Sequence, residues 1–275
     1  MKTKNWDELT FADNFMFCMI LEHNPELCRK LIELLLHIKI EKLEVPQAEK
    51  NMQQDFDSKS VRFDVYTKDE KRIFDLEMQL TDKKNLPKRS RYYQSIIDVD
   101  NLSKGENYTK LKDTYIVFIC MKDIFKKKLP VYFFENICRQ DKNLKLNDRT
   151  FKVFFNATCC DKLKSDEERD FFNFLKGHNA QSDLAKSIQE KVEKAKKNKA
   201  WRKQYMTWQQ TLDEEKELAR EEGLAEGRAE GLSAGARQKA VETAKKMLTL
   251  EKLSVSEIAQ CTGLTKEEVL SLKNE

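Results

Sequence analysis

The chain opens on helical spacing. Phe11, Phe15, Cys18 and Met19 recur at three- and four-residue steps and predict a short helix over 12–22. Asn24-Pro25 reads as a helix start, with Asn as cap and Pro in the first turn. Leu27, Leu31, Leu34, Leu35 and Ile38 then mark a second apolar stripe. After Ile38 the period shortens: Ile38, Ile40 and the apolar positions at 43–45 predict a first strand, and 61–66 a second. The polar stretch TKDEK at 67–71 is a turn. Residues 72–80 alternate, with Phe74, Leu76, Met78 and Leu80 on one face and Ile73, Asp75, Glu77 and Gln79 on the other. This predicts a hairpin with one buried face. A helix is expected over 88–102. The nearly continuous apolar run TYIVFICM at 114–121 has the length and composition of a central strand. Further strands are expected at 131–134 and 151–155. Helix, three strands, helix, strand and an added strand amount to an α/β fold with a mixed sheet flanked by helices.

From about 166 the pattern is helical throughout, and charge then divides it. Between Lys186 and Lys203 there are eight basic and two acidic residues, whereas 213–222 holds six acidic and two basic. Four of the seven glycines follow at Gly223, Gly227, Gly231 and Gly235, a period of four that lays them in one stripe on a helix. In the last stretch, Ser254-x-x-Glu257 and Thr265-x-x-Glu268 are capping boxes separated by Thr262-Gly263, the outline of a helix-turn-helix. The expected organisation is a core over 1–165, a helical extension with a basic segment over 166–212, a charged Gly-repeat helix or linker over 213–238, and a small helical unit over 239–275.

Composition narrows the function classes. The 275 residues are 40% hydrophobic and 36% charged, and 16 Phe supply material for a core. No apolar run approaches the ~18 residues of a membrane-spanning helix, and the first residues lack a secretion signal's apolar stretch. Seven scattered Cys without a C-x-x-C pair, with only three His, argue against a disulfide scaffold or a zinc cluster and fit a reducing cytoplasm. The net charge of +4 points to no partner.

The candidate chemistry sits on the hairpin. Asp64 lies on its first strand, and Glu77 and Gln79 lie two apart on its second. Pairing can bring the two carboxylates together beside an amide oxygen, an oxygen-rich site suited to Mg²⁺. Such a metal lowers the pKa of a bound water and stabilises charge on a phosphate. The competing reading is an ordinary solvated polar face, although Asp and Glu are depleted in strands and Asp64, Asp75 and Glu77 cluster here. Lys83, Lys84, Lys88, Arg89 and Arg91 follow with no acidic residue among them, and then Tyr92 and Tyr93. The cluster reads either as a solvated helix start or as a nucleic-acid backbone contact.

These residues, with LTFADNFMF at 9–17, VRFDVY at 61–66, DLEMQL at 75–80, RSRYYQS at 89–95, KGENYTKLKDTYIVFI at 104–119, LPVYFFENIC at 129–138, WRKQYM at 201–206 and IAQCTGLTKEEV at 258–269, carry a resemblance. The chain resembles the PD-(D/E)XK nuclease superfamily and, more narrowly, the Rpn-type recombination-promoting nucleases, or PD-(D/E)XK family transposases. The resemblance implies a restriction-endonuclease-like core with an all-helical C-terminal tail. It implies Asp64 as the motif aspartate, Glu77 as the (D/E) and Gln79 at the lysine position. Asp13 matches an acidic position of the first helix that could complete a metal shell. Lys88, Arg89, Arg91 and Tyr93 fall where phosphate contact is expected. The implied activity is Mg²⁺- (or Mn²⁺-) dependent DNA cleavage tied to recombination or mobile elements. Gln79 departs from the superfamily pattern, because a neutral amide cannot act as a base. Residues 124–126 and 157–160 also depart, standing where relatives tend to carry glycine. The alternative is a degenerate nuclease fold that binds DNA or assembles through its tail; a nuclease acting on RNA is a third reading. The glycine stripe permits self-association or a charged spacer. The terminal unit, with two Glu against two Lys in KEEVLSLK, reads as protein packing before DNA reading.

Overall fold

The computed structural model describes residues 4–52, 60–82, 84–250 and 252–273. The chain divides into two compact units, with the boundary between Tyr205 and Met206.

The first unit is built on a six-stranded mixed sheet. Its strands are β1 (Gln47–Met52), β2 (Val61–Lys68), β3 (Arg72–Gln79), β4 (Asp113–Cys120), β5 (Val131–Phe134) and β6 (Thr150–Asn156), in the order β1-β2-β3-β4-β6-β5. β1, β2 and β3 pair antiparallel, β3, β4 and β6 run parallel, and β5 returns antiparallel along β6. The parallel pairings need crossovers, and α3 (Leu86–Asp100) supplies the one between β3 and β4. Leu86, Tyr93, Ile96 and Ile97 of α3 pack with Ile116 and Phe118 of β4 in one core layer. Helices α1 (Asn14–Glu22), α2 (Pro25–Leu36), α4 (Asp166–Leu175) and α5 (Asp183–Lys196) cover the opposite face, where Phe155 stacks on Phe172. The run expected to be a central strand is β4, buried from Thr114 to Cys120.

Two expectations need correction. The first strand lies at Gln47–Met52, not around Ile38–Ile40 and 43–45. His37 closes α2 in a left-handed conformation, the Ile40 amide is taken by the Glu33 carboxylate at 2.7 Å, and the chain reaches β1 only after Pro46. β1 is an edge strand of sequence QAEKNM, so no apolar alternation marks it. The second correction concerns β3, which is buried on both faces rather than one. It lies between β2 and β4 with helices on either side, so Asp75, Glu77 and Gln79 are enclosed instead of facing water.

The second unit is helical. α6 (Lys199–Thr249) is one continuous helix through all four repeat glycines. α7 (Val255–Thr262) and α8 (Lys266–Lys273) pack with its C-terminal part around Ala244, Ile258, Ala259, Leu264 and Val269. Both capping boxes are formed, and Gly263 makes the stop between the short helices with φ +73. No helix of the described residues is long and apolar enough to cross a membrane.

Candidate active site

The turn between β2 and β3 sets the site. Asp69 accepts from the amides of Lys71 (2.8 Å) and Arg72 (2.7 Å) and pairs with the Arg72 guanidinium, closing the hairpin in one register. Val65 then faces Leu76, which leaves Asp64 opposite Glu77. There side chains take over from the ladder. The Asp64 amide donates to Glu77 Oε1 (3.0 Å), and the Met78 amide donates to Asp64 Oδ2 (2.9 Å). On the other flank of Asp64, Glu49 of β1 takes a left-handed φ of 49°, between the pairs Ala48–Val65 and Lys50–Phe63.

Three carboxylates therefore converge. Glu77 is 2% exposed, Asp75 is fully buried, and Asp64 is partly exposed. Among the described residues, the cation bonded to them is Arg89 of α3, which donates to Glu77 Oε2 at 2.7 Å with its guanidinium over the rings of Phe118 and Tyr93, while Arg62 adds a weaker charge toward Asp64. Both oxygens of Asp75 are buried with no amide or basic donor, its one side-chain partner being the acid Glu77, and Arg89 Nε is buried with no acceptor. Burial pushes all three carboxyls above their usual range. For Asp75 the charge of Asp64 adds to burial, and for Glu77 the charges of Asp64 and Asp75 both add. Asp64 is held back by the Met78 amide and the side chain of Asn14. A set of three acids and one guanidinium carries surplus negative charge in a low-dielectric place, which a shared proton or a bound cation relieves.

The other predicted residues divide. Gln79 is on the face of Glu77 and 5% exposed, and its amide donates to the Thr81 carbonyl (2.7 Å) and hydroxyl (3.2 Å) at the strand end. Asp13 is held before α1 by the Lys4 ammonium (2.8 Å) and by the Thr10 amide and hydroxyl. The first-helix side chain that reaches Asp64 is its neighbour Asn14, which sequence reading passed over. Lys88 and Arg91 are exposed on α3. Arg89 faces the carboxylates, and Tyr93 packs against Phe63, so these two line the site and the core. Their four-residue spacing is the only sequence sign of that division.

Among the described residues, no group of three or more His, Cys, Asp or Glu is spaced to hold a metal ion by itself, the Asp64, Asp75 and Glu77 cluster included. The donors nonetheless fit a hard divalent cation of the Mg²⁺ kind, which takes one or two carboxylates and completes its shell with water and phosphate oxygens. The buried oxygens of Asp75, bonded by no amide or basic side chain, make the same point.

No curated protein and no solved structure gives a significant match. The sequence profile of the PD-(D/E)XK nuclease family transposase matches residues 14–229. That span holds Asp64, Glu77, Gln79 and Arg89, together with the whole sheet; Asp13 and the helices α7 and α8 lie outside it. The mixed sheet between helices, with acids opposed on its β2–β3 hairpin, is the core expected of that group, and the chain belongs to the PD-(D/E)XK nuclease family transposases.

Proposed function

We propose that the protein is a Mg²⁺-dependent DNA endonuclease that hydrolyses phosphodiester bonds in recombination or the movement of mobile elements. The observation that carries this reading is the interlock of Asp64 and Glu77, each fixed by the other strand's backbone amide, in a pocket of surplus negative charge. Asp64 and Glu77 would hold Mg²⁺ (or Mn²⁺), which when bound makes water a stronger nucleophile and offsets charge on the phosphate. The protein's own groups do the rest. Arg89 holds Glu77 in one orientation, and Met78 N–H and Asn14 do the same for Asp64. Gln79 cannot act as an acid or base; with its N–H group turned to Thr81, its amide oxygen orients the attacking water. In-line attack breaks the bond to the 3′ oxygen and leaves a 3′-OH. Lys88 and Arg91, exposed at the start of α3, contact the DNA backbone. The glycine-striped part of α6 joins copies of the chain by close helix approach.

Gln79 favours a second reading. Its amide is engaged by Thr81, and no lysine occupies the motif position, as expected of a degenerate site that binds DNA without cutting.

Cleavage of supercoiled plasmid with Mg²⁺, against EDTA, Asp64→Asn and Glu77→Gln, decides between them. The nuclease reading expects nicking in the wild type alone. Cutting that survives both substitutions overturns the site, and DNA binding without any cutting supports the degenerate module.

A further inference from the structure

The parallel run of β3, β4 and β6 places the C-terminal ends of all three at one edge of the sheet. The Met121 amide donates to the Gln79 carbonyl at 2.9 Å, so the chain leaves β4 directly beside the end of the strand that carries Glu77. Ligands of open α/β sheets gather outside such strand ends. Basic side chains lie on all three segments that leave this edge, the third also carrying Asp161. After β3 come Lys84, Lys88 and Arg91; after β4, Lys126, Lys127 and Lys128; after β6, Lys162. All seven are exposed.

The middle segment is organised around its backbone. The Asp123 carboxylate accepts from the amides of Lys126 (3.0 Å) and Lys128 (2.8 Å) and from the Tyr132 hydroxyl (2.7 Å). That hydroxyl in turn accepts from the amides of Lys127 and Leu129. Lys126 and Lys128 sit at φ 55° and 57°, where glycine is the unstrained choice. Lysine stands at both positions with its side chain exposed, and among the described residues none of Lys126, Lys127 and Lys128 forms an ion pair. Lys162 adds its ammonium to the Lys128 carbonyl at 2.9 Å, which ties the third segment to the second. The loop's one acid, Asp123, is consumed in holding its shape.

We infer that Lys126, Lys127 and Lys128, with Lys162 beside them, form a second backbone-phosphate contact for double-stranded DNA, extending the track that begins at Lys88 and Arg91 past the end of β4. This rests on the nuclease reading for its choice of polyanion, not for its geometry. Phosphate contacts of this kind fix register and raise affinity without reading bases.

The test is equilibrium binding of the full chain to a fluorescent DNA duplex in EDTA, titrated at several salt concentrations. The variant is Lys126→Gly/Lys127→Gln/Lys128→Gly. Glycine suits both left-handed positions, so the fold is retained, which a thermal melt checks. The wild-type plot of log affinity against log salt should be steeper than the variant's by about 2 to 3, one counterion unit per lost contact. Lys88→Gln/Arg91→Gln provides the comparison at the α3 end. An unchanged slope in the lysine variant, with the melt intact, overturns the inference, as does a wild type that binds no duplex. The plasmid assay is read separately. A reduced slope without cleavage keeps the phosphate contact and removes the nuclease. Cleavage dependent on Asp64 with an unchanged slope does the reverse.

Discussion

Arg89 answers Glu77 at 2.7 Å, yet its Nε has no acceptor and the neighbouring Asp75 is bonded only by another acid, Glu77. Arg89 thus bonds a single carboxylate of the three, and the rest of the charge is left for a proton or a cation. Arg89→Gln should cost about 3 kcal/mol in a urea melt at neutral pH, because it strands a buried carboxylate. With Arg89 gone, burial and two neighbouring acids keep the folded-state pKa of Glu77 raised, so the fold binds a proton that the unfolded chain has released. The loss should therefore be smaller near pH 5 than at pH 8. A pH-independent loss would mean that Arg89 acts through packing on Phe118 and Tyr93 alone.

Asp75→Asn should stabilise the protein in EDTA at neutral pH, because it removes a carboxyl that burial and the charge of Asp64 hold against ionisation. The folded-state pKa of Asp75 lies well above its unfolded value, so the wild type loses stability as pH rises from ~4 through that raised value. The variant should lack this slope, and the two melting curves should converge in acid. A variant less stable than wild type at every pH would show that the carboxylate has a donor.

Gln79→Ala should slow Mg²⁺-dependent cleavage roughly 10-fold while leaving the shape of the pH–rate profile unchanged, since an amide orients but does not titrate. Single-turnover cleavage across pH 6 to 9 reads this. A shifted profile would indicate that the amide tunes a neighbouring acid.

Replacing Gly223, Gly227, Gly231 and Gly235 with Ala meets nothing within 4 Å in the single chain, and each change favours the helix by about 1 kcal/mol. Greater helicity by circular dichroism is expected, with weaker self-association in sedimentation, because the added methyl groups block close helix approach. Undiminished association would place the contact elsewhere.

The elements that sequence periodicity exposed were those with a strong apolar stripe or run: α2, β3, β4 and the capped helices α7 and α8. β1 was illegible because an edge strand needs no apolar face. The alternation of β3 was legible, but its meaning was not. Polar residues at 75, 77 and 79 read as a solvated face, and only the pairing with β4 and the cover of α3 enclose them. Arg89 and Lys88 are adjacent in sequence and alike in charge; one helical step separates a site residue from a surface one. Asn14 went unseen because its neighbour Asp13 offered the more conspicuous carboxylate.

The Asp69 turn has a further consequence for how the protein can change. In a strand each residue points opposite to the next, so a slip of one position would turn Asp64 away from Glu77. An inserted or deleted residue between 69 and 72 that shifted the register would do the same to Glu77 and Gln79 together. A change of length in the hairpin therefore dismantles the Asp64–Glu77 pairing at once, whereas a substitution in the turn leaves the register to the remaining hydrogen bonds.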